Sequence, residues 1–161
     1  MVLGAIMKSF FSSVMLIFLV FFPINAQYGN SSYCGIYDDP AYKKSGGEAK
    51  ITVYQESENS IMFYINIQKG PPSYNMGSLF GKVSVDNGTA VYTSQEYDCK
   101  WSMTFTKNSL IIRTLQNKED CGFGNAVYAE GTYKKVSNKN ANYFINEDGK
   151  KVYFNQMSSD Y

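Results

Sequence analysis

Apolar and polar residues alternate along the middle of the chain with a period of two. The clearest case lies at residues 60–68, where every second position is strongly apolar: Ile61, Phe63, Ile65 and Ile67. The intervening positions 64, 66 and 68 can face water. This alternation predicts a β-strand with one buried face. No segment after residue 26 shows the period of an amphipathic helix.

Further strands of the same kind are predicted at short, regular spacing. A first strand surrounds Cys34–Tyr37, and the others lie at residues 50–54, 79–85, 89–93, 100–106, 109–116 and 127–136. Asn87–Gly88 joins two of them and predicts a type I′ hairpin turn, because both residues tolerate positive φ angles. Short strands separated by polar turns predict an all-β fold, either a sandwich or a small barrel.

A motif shared by the two ends of this strand series favours a closed barrel. Gly35 and Tyr37 in the first strand match Gly131 and Tyr133 in the last. Glycine lets a strand bend at a barrel corner, and tyrosine can plug a barrel end with its hydroxyl in water. We therefore predict a small antiparallel barrel, or a strongly curved sheet, of about eight strands between residues 33 and 136. An open sandwich is the alternative.

The end of the chain predicts an additional element. Residues 138–161 begin with a polar run and then place Asp148–Gly149 between two stretches rich in β-forming residues. Asp-Gly between such stretches predicts a hairpin. We expect a C-terminal hairpin or loosely docked tail at residues 138–161, after a β-barrel domain at residues 27–137.

The N-terminus has the layout of a secretory signal peptide, which we place at residues 1–26. A single basic residue, Lys8, precedes an apolar run from Phe10 to Phe22, and Ala26 supplies a small residue before the cleavage point. The apolar run is shorter than the about 20 residues that a membrane-spanning helix needs. We therefore expect a secreted or periplasmic protein with no stable membrane anchor. An uncleaved anchor is the alternative.

The composition narrows the chemistry that the chain can perform. It has no histidine, only 3 cysteines and a formal net charge of +1. Without histidine it lacks the commonest general base and the commonest zinc ligand. A nearly neutral chain has little electrostatic attraction for nucleic acid. We expect no metal, no cofactor, no nucleic-acid partner and no enzymatic activity, and we expect a monomer.

Two of the three cysteines bracket a predicted hairpin. Cys99 precedes the strand at 100–106, and Cys121 follows the facing strand at 109–116. The hairpin brings its two ends together, so we expect an exported chain to form a Cys99–Cys121 disulfide. Cys34 is left over, either buried and inert or joined to another molecule.

The carboxylates show no catalytic pattern. They occur in predicted turns, where they are exposed to water, at Asp38, Asp39, Glu96, Asp98, Glu119 and Asp120. A hydrolase could be built from two of them, with Asp38 and Glu119 as the acids to test.

Tyrosines are the remaining functional signal. The chain has 14 of them, and four are predicted to lie on polar faces or in loops: Tyr64, Tyr74, Tyr92 and Tyr97. Tyrosine is a favoured contact residue in protein interfaces. We predict that Tyr74 and Tyr97 bind a partner. The alternative is that these tyrosines only plug the ends of the barrel.

The segment from Cys121 to Tyr133 carries a longer motif, Cys-Gly-Phe-Gly-Asn-Ala-Val-Tyr-Ala-Glu-Gly-Thr-Tyr. It resembles a motif of small exported bacterial domains, Cys-Gly-Phe-Gly-x-x-Val-x-x-(Asp/Glu)-Gly-Thr-Tyr after a cysteine-led hairpin. The resemblance covers about residues 76–136 and places Cys99 and Cys121 at the motif's cysteine positions. Some of these domains accompany modules similar to the LprI type of lysozyme inhibitor, which implies a binding role in the cell envelope. This chain has no LprI-like cysteine-rich helical module.

These features predict an exported, non-enzymatic protein that binds a protein or cell-envelope ligand, with an inhibitor-like role implied by the resemblance. Two alternatives belong to other classes. One is a structural or surface-interaction protein without a ligand pocket, and the other is a carboxylate-dependent hydrolase. A ligand pocket would count against the first, and two carboxylates about 5–9 Å apart in a cleft would favour the second.

Overall fold

The computed structural model describes residues 32–94, 96–117 and 121–157. Within these ranges eight strands form a closed antiparallel barrel in which every strand pairs with its neighbours in chain order. The strands are β1 Gly35–Asp38, β2 Glu48–Ser57, β3 Ser60–Gln68, β4 Met76–Asp86, β5 Thr89–Thr93, β6 Lys100–Phe105, β7 Ser109–Gln116 and β8 Gly131–Ser137. The predicted signal peptide at residues 1–26 lies outside the described residues.

The predicted closure between the first and last strands is confirmed. β1 pairs with β8, with Tyr37 opposite Lys135 and Asp38 opposite Lys134. Gly35 has a φ of +142°, and a Cβ at this position would lie 2.1 Å from the carbonyl oxygen of Ser137. Only glycine allows the two strands to approach this closely where the barrel closes.

The interior of the barrel contains the apolar positions of the period-two pattern. Ile61, Phe63, Ile65 and Ile67 are all fully buried, as the alternation predicts. Gly81 lies opposite Phe63 in the strand pairing, and a Cβ there would lie 2.4 Å from the Phe63 ring. The absent side chain therefore makes room for the ring, in keeping with an eight-stranded barrel that side chains just fill.

The two barrel-closing tyrosines do not place their hydroxyls in water, so that part of the prediction is wrong. Tyr37 and Tyr133 are fully buried. The Tyr37 hydroxyl donates to the carbonyl of Tyr33 at 2.7 Å, and the Tyr133 hydroxyl donates to the carbonyl of Ala129 at 2.8 Å. Burial raises the pKa of both hydroxyls. Backbone carbonyls therefore accept the hydrogen bonds that water would accept from an exposed hydroxyl.

The last barrel strand begins later than the sequence pattern predicts. Residues 127–130 are not in a strand, and β8 begins at Gly131. Carbonyl groups in this segment accept hydrogen bonds from tyrosine hydroxyls instead: Tyr42 donates to Tyr128 at 3.3 Å, and Tyr133 donates to Ala129. These side-chain bonds take the place of a strand ladder.

The two ends of the barrel differ in how the strands are connected. At the turn end, short turns join β2 to β3, β4 to β5 and β6 to β7. Asn87 and Gly88 both have positive φ there, as predicted for a type I′ turn. At the loop end, longer connections join β1 to β2, β3 to β4, β5 to β6 and β7 to β8. The first of them contains the one-turn helix α1, Pro40–Lys44.

Helix α1 replaces a predicted turn. The backbone N–H of Ala41 donates to the Asp39 carboxylate at 2.8 Å, so Asp39 caps the helix. Pro40 takes the first helical position, where its fixed φ suits the helix and its missing N–H costs nothing.

The predicted C-terminal hairpin forms and packs on the outside of the barrel. It consists of β9 Tyr143–Ile145 and β10 Lys151–Tyr153, followed by a 3₁₀ turn at Phe154–Gln156. Phe144 and Phe154 are buried. The Phe144 ring stacks on Tyr64 with centroids 3.9 Å apart. The hairpin is therefore docked firmly rather than loosely.

Candidate functional site

The predicted disulfide is confirmed and lies at the loop end. Cys99 and Cys121 are bonded, with their Cα atoms 5.0 Å apart. The bond ties the β5–β6 connection to the segment that follows β7. A disulfide is consistent with an oxidising compartment.

Cys34 is a free thiol and is buried. Its sulfur lies 2.8 Å from the Ser32 hydroxyl. Of the two interpretations left open by the sequence, the geometry favours the inert one, because a buried thiol offers no surface for a bond to another molecule.

The Cys121–Gly124 segment closes the loop end of the barrel. Phe123 stacks on Trp101 with centroids 6.0 Å apart. A Cβ on Gly122 would lie 2.4 Å from the Tyr97 ring, and a Cβ on Gly124 would lie 2.2 Å from the Met76 carbonyl oxygen. The two glycines therefore permit close packing after the disulfide, and Gly122 holds Tyr97 beside it.

A cleft of about 640 Å³ opens at the loop end between β4, the β5–β6 connection and the C-terminal hairpin. Its volume lies in the range of small-ligand sites, which is about 300–1,000 Å³. We call it the cleft. Five aromatic side chains line it, namely Tyr64, Phe80, Tyr92, Tyr97 and Phe144. The polar and acidic side chains that line it are Ser78, Ser94, Asn146, Glu96 and Glu147.

Hydrogen bonds fix both edges of the cleft. On the barrel side, the Ser94 hydroxyl accepts from the backbone N–H groups of Glu96 at 3.3 Å and Tyr97 at 2.9 Å. On the hairpin side, the Ser78 hydroxyl donates to the Glu147 carboxylate at 3.2 Å. Two acids thus border the cleft from opposite structural elements, and no basic residue is found among the described residues that line it.

Tyr64 and Tyr92 line the cleft but are not exposed, which corrects the prediction for both. Tyr64 points outward from β3, as its position predicts, but Phe144 of the hairpin covers it. Tyr92 packs with the core and stacks on Trp101 at 4.7 Å between centroids. Burial raises the pKa of both hydroxyls, and Ser78 and Ser94 respectively oppose the rise.

The Tyr64 hydroxyl is buried without a hydrogen bond of adequate geometry, although Ser78 and the Glu147 backbone lie near it. Buried polar groups in folded proteins nearly always have a partner. The Ser78 hydroxyl and the Glu147 backbone are the groups near enough to act as its partners.

The structure separates the two tyrosines predicted to bind. Tyr97 is 37% exposed and lines the cleft. Tyr74 is 59% exposed and lies on the β3–β4 connection, outside the cleft. Both are at the loop end. The cleft thus joins Tyr97 with Tyr64 and Tyr92 but not with Tyr74.

The contribution of the C-terminal hairpin to the lining of the cleft was not predicted from the sequence. Phe144 and Glu147 come from the predicted tail, and Phe80 from an outward position of β4. A signal was present, because outward positions of three adjacent strands carry apolar side chains instead of polar ones: Tyr54, Met62, Tyr64 and Phe80. An apolar patch on an outer face indicates that something covers it.

Among the described acids that were expected in turns, Asp39, Glu96 and Asp98 lie in connections, whereas Asp38 does not. Asp38 lies in β1, and one of its carboxylate oxygens is buried without a partner. Burial raises its pKa, and Lys50 opposes the rise. Asp39 caps α1, and Asp98 accepts from Gln116 at 2.6 Å. Glu119 and Asp120 lie outside the described residues.

A second groove, of about 390 Å³, runs under the hairpin across β1 to β3. Tyr64 lines both this groove and the cleft. Asn66 also lines the groove, and its side-chain oxygen is buried without a partner. Three polar or charged side chains of β2 border the groove, namely Glu48, Lys50 and Thr52.

Comparisons with known proteins give no assignment. No known protein family matches the chain, and no significantly similar protein was found among curated proteins or solved structures. Across residues 32–94, 96–117 and 121–157, no helix is long and apolar enough to cross a membrane. No group of three potential metal ligands occurs in those same ranges. Function must therefore be argued from the geometry of the cleft.

Proposed function

We infer that the protein is an exported binding protein of the cell envelope or the extracellular space, which acts without turnover. The cleft carries this proposal. It combines five aromatic side chains with two carboxylates and three polar side chains in one cavity. A largely apolar cavity with a few polar groups is the usual form of a ligand-binding site.

Two further observations support export. The N-terminal sequence has the layout of a signal peptide, and the Cys99–Cys121 disulfide suits a compartment outside the cytoplasm. The resemblance of residues 121–133 to exported envelope domains extends the proposal to an inhibitor-like role toward a protein partner.

The cleft favours this proposal over the structural alternative, which needs no pocket. The hydrolase alternative loses its sequence-based pair, because Asp38 faces outward from β1 and does not line the cleft. Among the described residues, the acids that line the cleft are Glu96 and Glu147. Glu147 already accepts a hydrogen bond from the Ser78 hydroxyl.

The proposal is tested by capture with the purified protein. Immobilised protein is incubated with envelope extracts and with purified lysozymes, and each captured protein is identified and then titrated in pure form. Tyr97→Ala should weaken binding about tenfold or more, as for an interface anchor. Tyr153→Ala is the matched control, because Tyr153 has the same 37% exposure but does not line the cleft.

Two results would contradict the proposal. One is capture that Tyr97→Ala and Tyr153→Ala reduce equally. The other is turnover of peptidoglycan, ester or peptide substrates that Glu147→Gln abolishes, because that result would make the protein a hydrolase. Capture with a Tyr74→Ala variant tests separately whether the second predicted tyrosine contributes to partner binding.

A further inference from the structure

We propose that the cleft accepts a positively charged side chain, arginine or lysine, presented by a partner protein. This inference rests on the proposed function and names the ligand chemistry of the same site. It is argued from two independent features of the cleft, its charge and its aromatic walls.

The charged side chains among the described residues that line the cleft are all acidic. Glu96 approaches from the barrel and Glu147 from the hairpin, and the described lining contains no lysine or arginine. Two exposed carboxylates elsewhere on the protein have cationic partners, in the Glu56–Lys82 and Asp148–Lys150 pairs. Two carboxylates that share a partly enclosed cavity without a cation attract one, and each stabilises the charged form of a cationic ligand.

The aromatic walls suit the same ligand. A cation is attracted to the face of a tyrosine or phenylalanine ring within about 6 Å. The hairpin already shows this contact within the chain, where the Lys151 ammonium lies 4.2 Å from the centroid of the Tyr143 ring. The methylene stem of an arginine or lysine can also pack along apolar walls such as Phe80 and Phe144 while its charged group reaches the carboxylates.

The polar groups of the lining suit the same ligand. A guanidinium has five N–H donors and an ammonium has three, so either can donate to more than one of the polar acceptors that line the cleft. A neutral ligand would partly desolvate both carboxylates without giving them a counter-charge.

The exposed tyrosines indicate that the cation belongs to a protein. Tyr97 at the rim and Tyr74 on the adjacent connection present ring surface at the loop end. Such rings are enriched where proteins meet proteins, and arginine is enriched in the same interfaces. A free amine or an amino sugar would fill the cleft but would make little use of Tyr74.

The test compares two probes of nearly identical shape. N-acetyl-arginine amide carries a guanidinium, and N-acetyl-citrulline amide replaces it with a neutral urea. Ligand-observed NMR gives the affinity of each for the purified protein. The single tryptophan gives a second signal, because Trp101 stacks on Tyr92 in the cleft wall. The arginine probe should bind about tenfold more tightly than citrulline, and added salt should weaken only arginine binding.

Matched variants locate the binding. Glu147→Gln and Glu96→Gln should each weaken arginine binding about threefold or more and leave citrulline binding unchanged. Glutamine at position 147 keeps an oxygen that can accept from Ser78, so the hairpin contact is preserved. Asp148→Asn is the control, since Asp148 is the next residue of the hairpin but does not line the cleft.

Several results would overturn the inference. Equal affinities for arginine and citrulline would do so, as would an arginine affinity that the double glutamine variant leaves intact. Tighter binding of glucosamine than of the arginine probe would show that the ligand is an amino sugar instead. Partner capture that depends on Tyr97 without any arginine binding would remove this inference and leave the proposed function standing. Loss of both partner capture and arginine binding would overturn the inference and the proposed function together.

Discussion

The barrel interior and the outer cluster, which consists of Tyr64, Phe144 and Phe154, both contain aromatic side chains, and adjacent residues of β3 belong to each. Phe63 points inward and is fully buried, while Tyr64 points outward and is buried only because Phe144 covers it. Eight strands enclose the interior, whereas two strands of three residues each cover the outer cluster. The interior therefore carries the stability of the fold, and the outer cluster is free to form a site.

The largest effect should follow from opening the interior. Phe63→Ala removes a fully buried ring that packs against Gly81 and Tyr92. The free energy of global unfolding should fall by about 3–5 kcal/mol, because the transfer and cavity costs both apply. Urea denaturation followed by circular dichroism measures the change. A loss below about 1 kcal/mol would show that the interior is loosely packed and would remove the contrast with the outer cluster.

The next effect should come from the disulfide at the loop end. Replacing both Cys99 and Cys121 with serine releases a bond between residues 22 apart in sequence. Chain entropy predicts a loss of about 3 kcal/mol in the free energy of unfolding. The same urea titration measures it, with reduction of the wild type as an independent check. Serine at position 34 is the control, because Cys34 forms no disulfide and its loss should leave the bond intact.

A smaller and more local effect is expected in the outer cluster. Phe154→Ala removes a ring that stacks on Tyr54 and contacts Phe144. The hairpin should open more easily by about 2 kcal/mol, while global unfolding should change less, because the hairpin can open without the barrel. Hydrogen exchange should show faster exchange in β9 and β10 and unchanged exchange in β3. Equal acceleration in all three strands would mean that the two regions unfold as one unit.

The same contrast explains which parts of the structure could be predicted from the sequence. The interior follows from local alternation, and the positions 61, 63, 65 and 67 were all identified correctly. The closure of the barrel was also predictable, because the same glycine and tyrosine spacing recurs in β1 and β8, the two strands that pair to close it. The hydroxyls of Tyr37 and Tyr133 were misplaced, because their backbone acceptors lie four residues earlier in the chain, in loops that no periodicity describes.

The cleft could be predicted only in part, for a physical reason. Tyr97 was identified from its place in a polar turn, and it does line the cleft. Phe144 and Glu147 were missed because they reach the cleft through a hairpin that docks on a distant part of the chain. Whether an outward residue such as Tyr64 is exposed depends on that docking. Period-two alternation assigns a residue to a face of the sheet but contains no information on what covers the outer face.

The smallest effect expected concerns Asp38, which lies on the outer face and outside the cleft. Burial raises its pKa in the folded protein above the ordinary aspartate value, against the opposing effects of Lys50 and Lys43. Below the ordinary pKa the carboxyl is protonated in both states and costs nothing. As the pH rises from there to the folded-state pKa, the unfolded chain ionises first, so Asp38 progressively lowers the stability of the fold. Above the folded-state pKa the penalty is constant.

Asp38→Asn removes this titration while preserving the shape of the side chain. The variant should therefore be slightly more stable than the wild type at about pH 7, and the gain should shrink as the pH approaches about 3. Urea titrations of both proteins at the two pH values measure the difference. An equal effect at both values would show that the substituted amide acts through packing or hydrogen bonding rather than through the loss of charge. One Asp38 oxygen is buried without a partner. Replacing the carboxylate with an amide removes the ionised group from this buried setting, and the gain in stability at neutral pH follows from that loss of charge.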